Sequence, residues 1–473
     1  MCGRVAFCHV QYPIIGRPGY CKKIFPGRVY PPSQLTGFAA MSSRVDKPFP
    51  LFDSYREFRQ LNFNDLSKER PIVIGLLRQI GDAADPIESY KAVRDFFHSY
   101  DGNEGTFNSY RTHVERLLLW CLLIAKKPIL SLRRTDAEAF MEFCLNPPAS
   151  WVGPVVKSRF VRAGGRKKSP DDTYTVNEDW RPFNLTQPKL VRKLAEEANV
   201  EAPSPSSYKM SSGSVAQVFA ACQSFYQFCI DEDLTEVNPF RAIKQKSRYT
   251  QRSTREVGGR SLTAVQWDFV IETAELMADE DEEHERTLFI LVTLFSLYLR
   301  ISDLVGRENW EPTMGAFQKS GDDWWYHAIR KGNKSTKVSV RHEYLKYLKR
   351  YRATQSLSPL PFPGEQTPLL KSKQGRAGLS DRHVRLLVQG VFDRAVDRMK
   401  AEGQPEDEIT NLRAASLHWL RHTSATFDAP YRDPKDLQAD LGHESLSTTQ
   451  DNYYDSLDGK RASSVKGLPV KGY

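Results

Sequence analysis

No stretch of this chain is apolar for long enough to cross a bilayer. The longest apolar run, Thr287 to Leu299 (TLFILVTLFSLYL), falls short of the ~18–20 residues a spanning helix needs, and a charged stretch follows it at once. The first residues, MCGRVAFCHVQYPIIG, lack the apolar core and small-residue cleavage site of a secretory signal. Cysteine is scarce, with 7 among 473 residues: Cys2, Cys8, Cys21, Cys121, Cys144, Cys222 and Cys229. An odd, scattered set argues against a disulfide scaffold and fits reduced thiols in a cytoplasmic protein. Cys2, Cys8, His9 and Cys21 crowd together near the start, but without a CxxC pair they lack the spacing of a zinc knuckle. No internal repeat is visible. Negative charge is in deficit, with Asp+Glu 58 against Lys+Arg 67, a net charge of +9 and a pI near 9.0. That balance favours an anionic partner without saying which. Hydrophobic residues at 40% and charged residues at 26% exclude collagen and low-complexity disorder.

A chain of 473 residues suggests two to four domains. Residues 1–85 are first rich in Pro and Gly, then mixed, and carry no functional signal. Met41, opening MSSRVDKPF, reads as nearer the true start, with the residues before it poorly ordered. From about residue 86 the pattern turns helical: Tyr110, Val114, Leu117, Leu118 and Cys121 share one face of a 3.6-residue period, and Val215, Val218, Phe219, Cys222, Phe225, Tyr226 and Cys229 form a second stripe. These predict a helical domain over 86–243. Residues 146–205, rich in Pro, Gly and Ser, interrupt it as a long loop or insertion, and its basic run from Lys157 to Lys168 is a solvated surface or a DNA contact. Residues 244–260 form a basic linker, since Arg241 to Arg260 carries seven Lys/Arg and one Glu. A second domain is predicted over 261–473. In it the apolar run 287–299 reads as a buried helix, Trp324–Ile329 and Thr336–Val340 as strands of a hairpin turning at Gly332-Asn333, and 343–353 and 380–401 as further helices. The fold class expected is mainly α with a small β-sheet.

Four segments of the second domain combine basic or titratable residues with apolar helix. In Leu299-Arg300-Ile301-Ser302-Asp303-Leu304 an Arg closes the long apolar run; the plain reading is a capping Arg with a local Asp. Arg330-Lys331-Gly332-Asn333-Lys334 reads as a polar hairpin tip, or as a turn that carries an ammonium into a phosphate site. In Leu417-His418-Trp419-Leu420-Arg421-His422-Thr423, His418 and Arg421 share a helix face, and His418 and His422 have the spacing of a metal pair without the third ligand. In Leu441-Gly442-His443, a Gly-His turn precedes the pair Tyr453-Tyr454 by about ten residues. Each is weak alone. Together they supply two Arg, one Lys, two His and a Tyr without an acidic metal cluster, which is a set for metal-free phosphoryl transfer. Guanidinium groups clamp the non-bridging oxygens of a pentacoordinate phosphorane, a phenol serves as nucleophile, and a Lys protonates the leaving oxygen.

In this order the segments resemble the tyrosine recombinases, or phage-type integrases. LYLRISDL is similar to the family's G-hydrophobic-R-I-S-E-L, with Arg300 in place and Asp303 where Glu is usual. RKGNK resembles GKGNK, with Lys331 at the catalytic Lys. HWLRHT matches HxLRHT with His418 and Arg421, and LGHESLSTTQ matches LGHxSLSTTQ with His443. The family places its nucleophile nine residues after that His, where this chain has Asn452. A one-residue insertion favours Tyr453, with Tyr454 as the alternative. The motifs span about residues 261–460, and the helical domain over 86–243 is similar to the family's core-binding domain in pattern only.

The resemblance implies a two-domain clamp on duplex DNA, with the basic linker crossing the backbone and α-rich catalytic machinery in the second domain. Tyr453 attacks the scissile phosphate to leave a 3′-phosphotyrosine. Arg300 and Arg421 hold the phosphate oxygens, Lys331 is the general acid, His418 assists proton transfer at the tyrosine, and His443 donates a hydrogen bond to the phosphate. His422 and Asp303 are read as structural. No metal, cofactor or ATP is implied. The implied partners are double-stranded DNA recombination sites, further copies of the chain in a homotetramer on DNA, and an accessory directionality factor, in the setting of a bacterial mobile element and with no membrane. The other readings are a type IB topoisomerase-like relaxing enzyme and a non-catalytic DNA-binding remnant of an integrase.

Overall fold

The computed structural model describes residues 47–61, 71–163, 173–187, 189–197, 207–249, 260–306, 310–330, 334–372, 375 and 377–454. Most of them are helical, and the strands are few and short. Apolar side chains gather into two separate cores, one drawn from residues 49–249 and the other from 262–453. Cys2, Cys8, His9, Cys21 and the proposed start at Met41 lie outside the described residues.

The first core is built by α1 (Tyr55–Phe58), α2 (Pro71–Arg78), α3 (Pro86–His98), α4 (Glu104–Trp120) and α5 (Arg134–Leu145). Asn103 opens α4 by accepting a hydrogen bond from the Thr106 amide at 3.1 Å. Val114, Leu117, Leu118 and Cys121 are buried as their spacing requires. Tyr110 stays at the edge, its hydroxyl 3.3 Å from Ser224 Oγ.

The stretch expected as a loop over 146–205 is more ordered than its composition suggests. Strand β1 (Val152–Gly153) pairs in parallel with β4 (Phe183–Asn184), and β2 (Phe160–Arg162) pairs antiparallel with β3 (Tyr174–Val176). Trp151, Val152, Phe160, Trp180 and Phe183 are buried in the first core. Five bulky anchors hold the segment down. Strands of two or three residues are too short to show an alternating pattern. The segment ends in α6 (Lys189–Glu197), whose Lys189 ammonium donates to the Ala415 carbonyl and whose Lys193 pairs with Asp393. Of the basic run, Lys157, Arg159 and Arg162 are described; Arg166, Lys167 and Lys168 lie outside the described residues. Helix α7 (Ser212–Asp231) then buries all seven residues of its predicted stripe. The start of the basic linker also packs here. Tyr249 is buried beside Phe219 with ring centroids 5.8 Å apart, and Arg248 pairs with Glu142 at 2.7 Å.

Residues ahead of the predicted helical domain belong to this core too, since Phe49, Leu51, Phe52, Tyr55 and Phe58 are buried in it. One buried carboxylate ties Leu51 and Phe52 down. Glu115, 1% exposed on α4, accepts from the amides of Leu51 at 2.7 Å and Phe52 at 3.1 Å, and pairs with Arg159 at 2.6 Å. Arg159 also donates to the Phe52 carbonyl at 2.8 Å.

The second core surrounds α9 (Glu285–Ser296), which follows α8 (Ala264–Glu280) and is buried on every side from Thr287 to Ser296. Thr263 and Gln266 cap α8 reciprocally, each side chain accepting from the other's amide. The expected helix over 287–299 stops three residues early: Leu297, Tyr298 and Leu299 are buried in a turn, because Tyr298 adopts a left-handed backbone with φ 50°. Helix α10 (Ile301–Val305) follows. An antiparallel sheet comes next, in the order β5 (Phe317–Ser320), β6 (Asp323–Arg330), β7 (Lys334–Ser339). The hairpin turn at Gly332-Asn333 lies outside the described residues, but β6 and β7 pair up to Arg330 opposite Lys334. Helices α11 (Tyr344–Thr354), α12 (Asp381–Ala401), α13 (Glu406–Ala414), α14 (Leu417–Asp428), α15 (Pro434–Leu441) and α16 (Leu446–Thr449) complete the unit. No helix among the described residues is long and apolar enough to cross a membrane.

Glu115→Ala leaves two amides without their acceptor and the Arg159 guanidinium without its carboxylate. It should destabilise the first unit by about 3–5 kcal/mol, the cost of breaking one side of a buried charge pair. Urea unfolding of the variant against the parent chain measures this, and a loss below about 1 kcal/mol contradicts it.

Candidate active site

The site begins where α9 stops. Tyr298 occupies the place that the likened motif gives to Gly, and its positive φ explains why glycine suits that place. A residue with a β-carbon holds this conformation at a cost of about 1–3 kcal/mol, so its surroundings must fix it. They do so through the phenol. Its hydroxyl donates to the Asp428 carboxylate and accepts from Arg432 Nη1 at 3.1 Å and Arg341 Nη2 at 3.3 Å. Burial, opposed by Arg341, pushes this phenol up to about 12. With the backbone turned this way, the Tyr298 carbonyl accepts from Arg421 Nη1. Two residues on, Arg300 enters α10.

Helix α14 presents His418, Arg421 and His422 at i, i+3 and i+4, hence on one face. Arg421 is 3% exposed. Its Nη2 donates to the Leu441 carbonyl at 2.7 Å and lies 3.2 Å from His443 Nε2. A second buried guanidinium, Arg330 at the end of β6, shares that carbonyl: Nη1 donates to Leu441 at 2.9 Å, Nη2 to the Asp440 carbonyl at 2.6 Å and Nε to Thr336 Oγ1 at 2.8 Å. These carbonyls end α15, where backbone acceptors lack helical partners and the helix dipole favours cations. Asp303, fully buried, accepts from the Arg300 amide at 3.2 Å and lies 3.5 Å from Arg330 Nη1. Gly442 closes α15 with φ 62°, and a β-carbon there would stand 2.8 Å from Arg330 Nε. His443 follows, its Nδ1 2.9 Å from Thr449 Oγ1.

The chain beyond α16 widens into a π-turn over Gln450–Tyr454. Such a turn absorbs one extra residue in a helix, and one extra residue is what separates this chain from the likened spacing. Tyr453 is 1% exposed, with its hydroxyl 3.1 Å from His422 Nδ1 and its ring parallel to that of His443 at 6.2 Å. Tyr454 diverges and donates to the Arg432 carbonyl at 2.8 Å. His418 and His422 face each other, Nε2 to Nε2, at 3.1 Å. No third ligand of His, Cys, Asp or Glu type joins this pair among the described residues.

The electrostatics are those of crowded cations. Burial, then Arg300 and Arg330, lower Arg421 to about 9. Burial, then Arg421 and Arg300, lower His443 to about 4, and burial, then His418 and Arg421, lower His422 to about 4. His418 is lowered by burial, Arg421 and Arg300. The Tyr453 phenol is raised by burial, while Arg421 and Arg300 pull it back. Burial leads each of these shifts, and the neighbouring cations account for the next contributions.

Arg300, His418, Arg421, His443 and Tyr453 thus come together. Lys331 lies outside the described residues; its neighbour Arg330 is bound to the end of α15, and Lys334 pairs with Glu444, next to His443, at 2.7 Å. Sequence reasoning overlooked Arg330, which looked like one more cation of a polar hairpin. It also read His422 as structural, whereas His422 touches the Tyr453 hydroxyl. The signal for Tyr298, a bulky residue in a glycine place, was present in the motif itself.

No family model matches the sequence, and no curated protein matches it. Among solved structures, the chain is similar to the XerH site-specific recombinase bound to a palindromic difH substrate in a post-cleavage complex, with 12% identity over 87% of this chain and 92% of that one and a TM-score of 0.48. It is similar to the Tn1549 transposon integrase in complex with circular intermediate DNA at 16% identity, covering 79% of this chain and 98% of that one, with a TM-score of 0.44. A lambda integrase dimer bound to a COC' core site matches at 12% identity over 81% of this chain and 80% of that one, with a TM-score of 0.42.

Gly442→Ala combines an unfavourable positive φ with a collision against Arg330. It should cost the second unit about 1–3 kcal/mol, read as a lowered thermal midpoint. An unchanged midpoint contradicts the tight approach of Gly442 to that guanidinium.

Proposed function

We propose that this chain is a tyrosine recombinase: a site-specific DNA recombinase or integrase that cleaves and rejoins duplex DNA through a 3′-phosphotyrosine intermediate, without metal or ATP. The observation that carries the reading is a buried phenol, Tyr453, beside two imidazoles and within the field of Arg300 and Arg421, in a cluster where cations crowd one another. The four ordered motifs support it independently, because residue type and spacing owe nothing to the geometry.

In this mechanism the scissile phosphate enters between Arg300 and Arg421. The Tyr453 oxygen attacks phosphorus and the 5′-oxygen departs opposite. Negative charge grows on the non-bridging oxygens of the pentacoordinate transition state, where desolvated guanidinium groups act most strongly. Carbonyls of Tyr298 and Leu441 already fix Arg421, so little reorganisation is needed. Lys331 protonates the leaving 5′-oxygen, and His418 assists proton transfer at the tyrosine. His443, once Arg421 turns to the phosphate and the ring proton moves from Nδ1 to Nε2, donates to the phosphate. The phosphodiester energy is kept in the phosphotyrosine bond, so a 5′-hydroxyl from a second duplex can reverse the step. Exchange between two duplexes calls for a homotetramer on double-stranded recombination sites, with an accessory factor to set direction. The displaced tyrosine is the feature favouring a non-catalytic remnant, and the π-turn, which accommodates the added residue, supports the catalytic reading instead.

Tyr453→Phe is expected to abolish covalent adducts on nicked suicide duplexes while duplex binding is kept, and Tyr454→Phe is expected to retain adducts. The reverse pattern would assign the nucleophile to Tyr454. Arg300→Ala should slow adduct formation by about 10²–10³-fold, the effect of removing one charge-stabilising donor; single-turnover cleavage measures this, and a change under about threefold excludes the assigned role.

A further inference from the structure

His422 and His443 lie beside Tyr453 and His418 contacts His422, and their contacts separate the three imidazoles by what each can do. His443 has both ring nitrogens engaged. Arg421 Nη2, which can only donate, lies 3.2 Å from its Nε2, so its proton sits on Nδ1, 2.9 Å from Thr449 Oγ1. It has no lone pair to offer the phenol. His418 meets His422 through its Nε2. His422 bridges His418 and the phenol, with Nδ1 3.1 Å from the Tyr453 hydroxyl and Nε2 3.1 Å from His418 Nε2. One proton sits between the facing Nε2 atoms. If His422 supplies it, His422 Nδ1 is an empty acceptor aimed at the hydroxyl. Burial and neighbouring cations keep this ring neutral at neutral pH, so the lone pair is open.

We propose that His422 is a catalytic residue, the immediate acceptor of the Tyr453 proton, and that it passes its own Nε2 proton to His418. The inference rests on the reading of Tyr453 as the nucleophile. In the cleavage step the O–H bond of Tyr453 breaks as its O–P bond forms, and the proton goes to His422 Nδ1. The Nε2 proton of His422 moves to His418, which becomes an imidazolium in the same cation cluster. The 5′-oxygen leaves with its electron pair and takes a proton from Lys331. Nothing is oxidised or reduced, and rejoining runs the relay backwards. The relay also explains why the extra residue before Tyr453 is tolerated. Each helical residue turns a side chain by about 100°, so without the π-turn the phenol would leave Nδ1.

The experiment uses the full chain and a nicked duplex of its own recombination site, recovered by sequencing junctions formed in cells. His422→Ala and His422→Gln are compared with the parent for duplex binding and for single-turnover formation of the Tyr453 adduct. Both should bind as the parent does and cleave at least about 10²-fold more slowly, the ordinary contribution of a positioned acid–base group. Gln keeps a hydrogen bond to the phenol but cannot carry the proton, so near-parental cleavage by His422→Gln overturns the proposal. Incorporation of 3-fluorotyrosine at position 453, a more acidic phenol, should then recover at least tenfold of the His422→Ala loss while changing the parent little. If the fluorinated phenol restores nothing in His422→Ala, proton acceptance by His422 is overturned. If the parent itself forms no adduct at Tyr453, both the relay and the recombinase reading fall.

Discussion

The arrangement of this site depends on one backbone carbonyl. Leu441, the last residue of α15, offers its oxygen to two buried guanidinium groups, Arg421 from α14 and Arg330 from the end of β6. The end of a helix is rich in acceptors and negative in potential, so it can hold two like charges that would otherwise repel. This contact joins a sheet, a helix and the Gly442-His443 turn at a single point. Gly442 is the residue that lets the chain pass so close to Arg330. The side chains that surround Tyr453 are fixed relative to one another because their supports meet there.

Beneath this junction lies a second layer of polar contacts. Asp428 pairs with Arg341, which also donates to Ser424 at 2.6 Å. Asp440 pairs with Arg432 at 2.7 Å and accepts from the Ser339 amide at 3.1 Å. The Tyr298 phenol sits among Asp428, Arg341 and Arg432, and its strained backbone delivers a carbonyl to Arg421. Charges in this lower layer are matched, and the strain is held by groups with no part in the chemistry. The upper layer is different: there guanidinium and imidazole groups depress one another's proton affinity. A cluster of this kind is stable only because the lower layer and the second core support it, and it is relieved by an entering anion.

Much of this was legible beforehand. The stripes of α4 and α7 and the run in α9 predicted buried faces, since 3.6-residue periodicity and continuous apolarity are local properties. The four motifs named Arg300, His418, Arg421, His443 and Tyr453 because chemistry restricts residue type. Other features were not legible. The segment over 146–205 looked like a loop because its anchors, Trp151, Trp180 and Phe183, are dispersed among turn residues. Arg330 looked like surface charge because its partners are the carbonyls of Asp440 and Leu441, more than a hundred residues away in the chain.

The sequence by itself determined which side chains are available for chemistry, the hydrophobic faces that bury them, and an interval before the tyrosines that is one residue too long. These follow from residue type and spacing. Only the tertiary structure decided how that interval is absorbed, which phenol faces the imidazoles, which nitrogen of His422 meets it, and what holds Arg421 in place. Those outcomes depend on a wide helical turn, a left-handed tyrosine and shared backbone carbonyls. Backbone carbonyls are common to every residue, so composition and motif carry no trace of which ones will meet.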